Sequence, residues 1–141
     1  MRKNTLIIVM ILSMFIFSLQ MAEPLTAASL KVVDHGSIKF KVHNNAGTYT
    51  WKTYQKGNNY VKVVGYLYSP STKRGVYIYN YFEKVSKTKL RNHGKDVVKY
   101  YDYGTSQTIN IGSTYTHTKL TAAQYYWKVY RPFMIKYVKT L

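Results

Sequence analysis

Ser37-Ile38-Lys39-Phe40-Lys41-Val42-His43 decides the fold class. Its apolar Ile38, Phe40 and Val42 alternate strictly with Lys39, Lys41 and His43, the two-residue period of a strand with one side in a core and the other in water. Asn44-Asn45-Ala46-Gly47 then supplies turn-forming residues. Residues 48–55 return with Tyr49 and Trp51 on one face and Thr50, Lys52 and Tyr54 on the other, so the two segments read as a β-hairpin.

The same alternation continues outward. After the turn Lys56-Gly57-Asn58-Asn59, residues 60–68 place Val61, Val63 and Leu67 opposite Lys62, Tyr66 and Tyr68. Residues 69–75 form a loop, and in residues 76–82 Val76, Ile78 and Phe82 alternate with Tyr77, Tyr79 and Tyr81. Residues 83–95 are polar, basic and irregular, which predicts an exposed loop. Strands resume over 97–103, 107–111, 123–130 and 133–138, with Gly104, Gly112 and Pro132 between some of them, and a short helix fits near residues 121–124. Helix formers are scarce and β-branched and aromatic residues abundant. The expected fold is all-β, a single small antiparallel β-sandwich or barrel.

Ahead of this domain, Arg2 and Lys3 precede an apolar run over residues 6–21, followed by small residues ending Thr26-Ala27-Ala28. That is the layout of an export signal cleaved after Ala28, so residues 1–28 read as leader and 29–141 as one basic, tyrosine-rich β-domain. An uncleaved anchor helix is the alternative. The chain has no cysteine, so an exported domain of this size rests on apolar burial, not on disulfides.

The whole chain carries a formal charge of +16. Losing Arg2, Lys3 and Glu23 with the leader lowers this by one, and the only remaining acids are Asp34, Glu83, Asp96 and Asp102. Such a field gathers polyanions and anionic membranes, and binding driven by it weakens with salt. Teichoic acid, anionic lipid head groups and nucleic acid fit the charge, although export disfavours nucleic acid. Solubility of a tyrosine-rich surface is a plainer use of the same charge.

If residues 60–68 and 76–82 pair, Tyr66, Tyr68, Tyr77, Tyr79 and Tyr81 lie side by side, with Lys73, Arg74, Lys87, Lys89 and Arg91 as flanking cations. Tyrosine offers flat apolar area with a polar tip at low entropic cost, which suits sugars, head groups or peptides. The rings could equally serve the core, or clad the second face through cross-strand pairs. Catalysis has little support: the four acids make no clear glycosidase pair and the histidines no metal motif. His93, near Arg91, Lys95 and Asp96, is the best lone acid–base candidate. Neither an enzyme nor a cofactor is expected; an exported nuclease is the third functional class.

Gly47-Thr48-Tyr49-Thr50-Trp51, Tyr77-Ile78-Tyr79-Asn80-Tyr81, Ser86-Lys87-Thr88 and Ala123-Gln124-Tyr125-Tyr126-Trp127 occur in an order that resembles the lactococcin-type secreted bacteriocins. Two departures stand out: the glycine pair before the tryptophan is missing, and Phe82 and Lys84 replace histidines of that pattern. The resemblance implies a secreted antibacterial protein acting on the envelope of Gram-positive cells. It would engage an anionic wall polymer, a lipid-linked precursor or the membrane surface, with an immunity protein as a further partner. A non-toxic envelope or matrix protein held by the same charge and rings is the competing class.

Overall fold

The computed structural model describes residues 29–42 and 45–141. The leader assigned to residues 1–28, and residues 43–44 of the first turn, lie outside the described residues. Six strands follow one another: β1 (Lys31–Val42), β2 (Asn45–Lys56), β3 (Tyr60–Ser69), β4 (Arg74–Ser86), β5 (Lys89–Tyr100) and β6 (Thr105–His117). Each pairs antiparallel with the next, so the sheet order is the chain order. In the β2–β3 and β5–β6 turns Gly57 and Gly104 sit at φ of 59° and 65°, a conformation glycine adopts without steric penalty.

β1 and β6 remain at opposite edges of this open sheet, and the expected sandwich or barrel is not formed. One face is covered by the C-terminal segment: helix α1 (Ala122–Tyr125), a π-helical turn (Tyr126–Tyr130) and helix α2 (Arg131–Lys139). Residues 123–130 and 133–138 are therefore helical, not strands. The helical periodicity is carried by Ala122, Tyr126, Tyr130, Met134 and Val138, four residues apart. All but the half-buried Tyr130 are buried. A regular α-helix would rotate such a series off the sheet, and the wider π turn in its middle restores the alignment.

The core joins Tyr49, Trp51, Val61, Val63, Phe82 and Leu90 of the sheet to Ala122, Tyr126, Met134 and Val138. The segment 83–95, expected as a loop, is the β4–β5 hairpin, with only Lys87 and Thr88 outside the strands. Its polar residues reflect exposure of one face, while Phe82 and Leu90 anchor the other. The 97–103 strand likewise ends at Tyr100, and β6 runs well beyond residues 107–111 on both sides.

Three polar devices fix the helical segment and the connection that leads into it. At its start, Thr121 Oγ1 accepts from the Gln124 backbone N–H (3.1 Å) while Gln124 Oε1 accepts from the Thr121 N–H (3.0 Å), a reciprocal capping box. Lys84 Nζ donates to the carbonyls of Thr118 and Leu120, each at 2.5 Å, holding the preceding connection. Farther on, Asp34 Oδ2 accepts from Trp51 Nε1 (3.1 Å), Tyr126 OH (2.5 Å) and Arg131 Nε (2.6 Å). Thr53, buried beneath, donates to the Tyr126 hydroxyl at 2.6 Å. The Arg131 guanidinium also lies 5.6 Å from the ring centres of Trp51 and Trp127.

Candidate functional site

Strand alternation sends Val61, Val63 and Phe82 into the core and their neighbours to the opposite face. On that opposite face, register places Tyr66 against Tyr77, Val64 against Tyr79, and Lys62 against Tyr81. The next strand sets Lys95 against Tyr79 and His93 against Tyr81. The five tyrosines singled out in the sequence thus share one surface, away from the helical segment.

The rings pack on one another and are each half-buried. Centroids lie 4.5 Å apart for Tyr66–Tyr77, 6.2 Å for Tyr66–Tyr68 and 6.5 Å for Tyr77–Tyr79. Tyr101 joins them, edge-on to Tyr68 and sharing a 2.6 Å hydrogen bond with the Tyr66 hydroxyl. Gly75 leaves the space that the Tyr66 and Tyr101 rings occupy, since a Cβ there would meet both. Burial, reinforced by the Tyr101 hydroxyl and neighbouring phenols, pushes the Tyr66 pKa up. The Tyr66 phenol therefore stays a neutral donor and acceptor at physiological pH.

Cations are set among the rings. Lys95 Nζ lies 5.1 Å from the Tyr79 ring centre, Lys99 5.6 Å from Tyr77, and Lys62 5.5 Å from Tyr54 on β2, each contact worth about 0.5–1 kcal/mol at an exposed site. Burial and the nearby Lys95 charge lower the Lys62 pKa. None of the three ion pairs among the described residues engages either lysine. Lys62 on β3 and Lys95 on β5 thus face the same side across β4, and two like charges set among the rings create a local demand for an anion.

The flanking cations named from sequence fall differently. Lys73, in the β3–β4 turn, approaches Asp102 at 3.9 Å, and Arg74 stacks on Tyr100 at 5.2 Å. Lys87 sits at the far end of the sheet, beside Lys84 and Lys119. Lys89 lies over Tyr115 (5.6 Å), and Arg91 bonds to Ser113 (3.0 Å) and pairs with Glu83 (3.7 Å). These five form no cluster around the tyrosines. Lys62, Lys95, Lys99 and Tyr54 take their place: Lys62 shares the face of Tyr66 and Tyr68 by alternation and meets Tyr54 across β2–β3, while the pairing of β5 with β4, hidden for Lys95 by reading 83–95 as a loop, brings in Lys95 and Lys99.

His93 stacks on Tyr81 at 5.0 Å. Burial and Arg91 lower its pKa, partly offset by Glu83. Asp96 pairs with Ile78, one of the residues packed against the core, and so lies on the helix side of the sheet, away from His93. On that side a second, apolar cleft of about 320 Å³ runs between α2 and the sheet, lined by Leu67, Ile78, Phe133 and Tyr137 among others. Among the described residues no group of acids and histidines could hold a metal ion, and no helix is long and apolar enough to cross a membrane. No protein-family model, no curated protein and no solved structure matches the chain.

Proposed function

We propose that this is an exported cationic protein that binds an anionic, sugar-bearing polymer of the Gram-positive envelope, of the teichoic-acid kind, through the tyrosine–lysine face of β2–β5. The observation that carries this reading is the Lys62–Lys95 pair, unpartnered by carboxylates and set in a lattice of neutral, mutually packed tyrosines. Phosphates would neutralise the lysines while sugar or polyol units lie on the rings and bond to phenol hydroxyls. Because the rings already hold one another, little side-chain freedom is lost on binding. An open face spanning four strands suits an extended polymer better than one enclosed head group.

Growth inhibition of Gram-positive cells, as the likeness to lactococcin-type bacteriocins implies, would be the consequence of that binding. Calorimetry with purified teichoic acid tests the binding itself. Lys62→Gln with Lys95→Gln should weaken it by about tenfold or more, and Tyr79→Ala by a similar factor. Lys136→Gln with Lys139→Gln, which removes equal charge from the opposite side, should change it little. Equal losses in both lysine pairs would mean that net charge alone binds and would sink the site. A growth assay on the same proteins then separates a killing protein from a non-toxic wall-bound one.

A further inference from the structure

β6 (Thr105–His117) is an edge strand of thirteen residues, exposed along nearly its whole length. It is also the one strand of the six without a lysine, arginine, aspartate or glutamate. The opposite edge, β1, carries Lys31, Asp34, Lys39 and Lys41. Charged residues on an edge strand oppose pairing with another chain, and a neutral, β-branched edge invites it. In a protein this basic, an uncharged strand is the place where a second copy can approach with least repulsion.

We propose that β6 pairs antiparallel with β6 of a second copy of this chain. The usable stretch is the straight part up to and including Ile111. Beyond it, Asn92 pairs with Thr114 and Gly94 with Ile111, so two β6 residues oppose one on β5 and the strand bulges at Gly112-Ser113. Within the straight part, Ile109 and Ile111 are 44% and 49% exposed. They point to the helix side, in line with Asp96 and Gly94. A two-fold axis near Ile109, perpendicular to the sheet, sets Ile109 against its own mate with Ile111 diagonal to it, and covers all four isoleucines together. The same axis keeps both tyrosine–lysine faces on one side, as one continuous surface of twice the width. The pairing itself does not depend on the reading of that face, but it would give a repeating polymer two linked sites.

Salt separates the two associations. Polyanion binding weakens as salt rises, whereas pairing of two like-charged copies strengthens. Sedimentation of the purified protein at low and high salt should therefore show a dimer fraction that grows with salt. Ile109→Lys with Ile111→Lys, at exposed positions that leave the fold intact by circular dichroism, should weaken dimerisation by about tenfold or more. Since the chain has no cysteine, Ile109→Cys should yield a disulfide-linked dimer on mild oxidation, strands pairing at a distance a disulfide spans, while Lys39→Cys on the other edge should not. A monomer at every salt, a dimer indifferent to the two lysines, or cross-linking through position 39 as readily as through 109 would overturn the pairing. Association only with other proteins would assign the edge to a foreign strand instead.

Discussion

Asp34 gathers three donors onto one oxygen: the Trp51 indole, the Tyr126 phenol and the Arg131 guanidinium. Burial alone would push its pKa up, but the hydrogen bonds from Arg131, Tyr126 and Trp51 outweigh it and hold the carboxyl below its ordinary value. A carboxyl depressed in the folded state contributes stability in full above its unfolded pKa, about 4, and loses it as pH falls through the folded value. Asp34→Asn should cost about 2–4 kcal/mol at neutral pH, by denaturant unfolding, because it leaves Arg131 half-buried without its partner. The mutant's stability should also fall less between pH 5 and 3 than that of the parent protein (on the order of one carboxyl's linkage). At the alkaline end the sign reverses. Burial pushes Tyr49 up to about 12, so its contribution is complete below the unfolded value near ~10 and is lost as pH rises through the folded one. Absorbance titration should show its phenolate forming only as the fold opens. Gly65 is as exacting: a Cβ there would meet the Tyr49 ring and hydroxyl, so Gly65→Ala should destabilise by about 1–3 kcal/mol. The sequence puts Tyr49 and Trp51 on one face of a strand, and that face is the buried one. It gives Asp34 no such mark, because its donors lie 17, 92 and 97 residues away and no local spacing reports them.

Local alternation identifies the hairpins β1–β2 and β3–β4, including the pairing that places Tyr66 beside Tyr77. It fails in two elements for two reasons. In residues 83–95 the strand core face is short of apolar residues, since Asn92 and Gly94 occupy it, so the period is invisible although the hairpin forms. In the C-terminal segment, Phe133, Ile135 and Tyr137 mimic a strand while the buried residues facing the sheet are Met134 and Val138, with Ile135 packed partly against the core. Phe133 and Tyr137 instead stand exposed, edge to face at 5.9 Å. The helical segment is the only cover over the core face among the described residues, so removing residues 126–141 should abolish near-ultraviolet circular dichroism and the cooperative thermal transition. Met134→Ala should cost about 2–4 kcal/mol, and Phe133→Ser within about 1 kcal/mol of nothing.

At the scale of the whole molecule the chain has two unlike sides, one closed by helices and one left as a tyrosine–lysine sheet. The large positive charge was legible in composition, and the five tyrosines in alternation. Alternation also put Lys62 on the face of Tyr66 and Tyr68, but not Lys95 and Lys99 beside them, because those come from β5, whose neighbours only register defines. If these side chains form the binding face, affinity for a polyanion should fall steeply with salt, and the slope should flatten by about two counterions when Lys62 and Lys95 are both neutralised. The most direct measurement is a nuclear magnetic resonance titration of the labelled protein with purified teichoic acid. If the tyrosine–lysine face binds, shift changes concentrate on Lys62, Tyr66, Tyr77, Tyr79, Lys95 and Lys99, with the helix-side Phe133, Lys136 and Tyr137 unmoved. Shifts centred on the helical segment, or scattered over every exposed lysine alike, would contradict it.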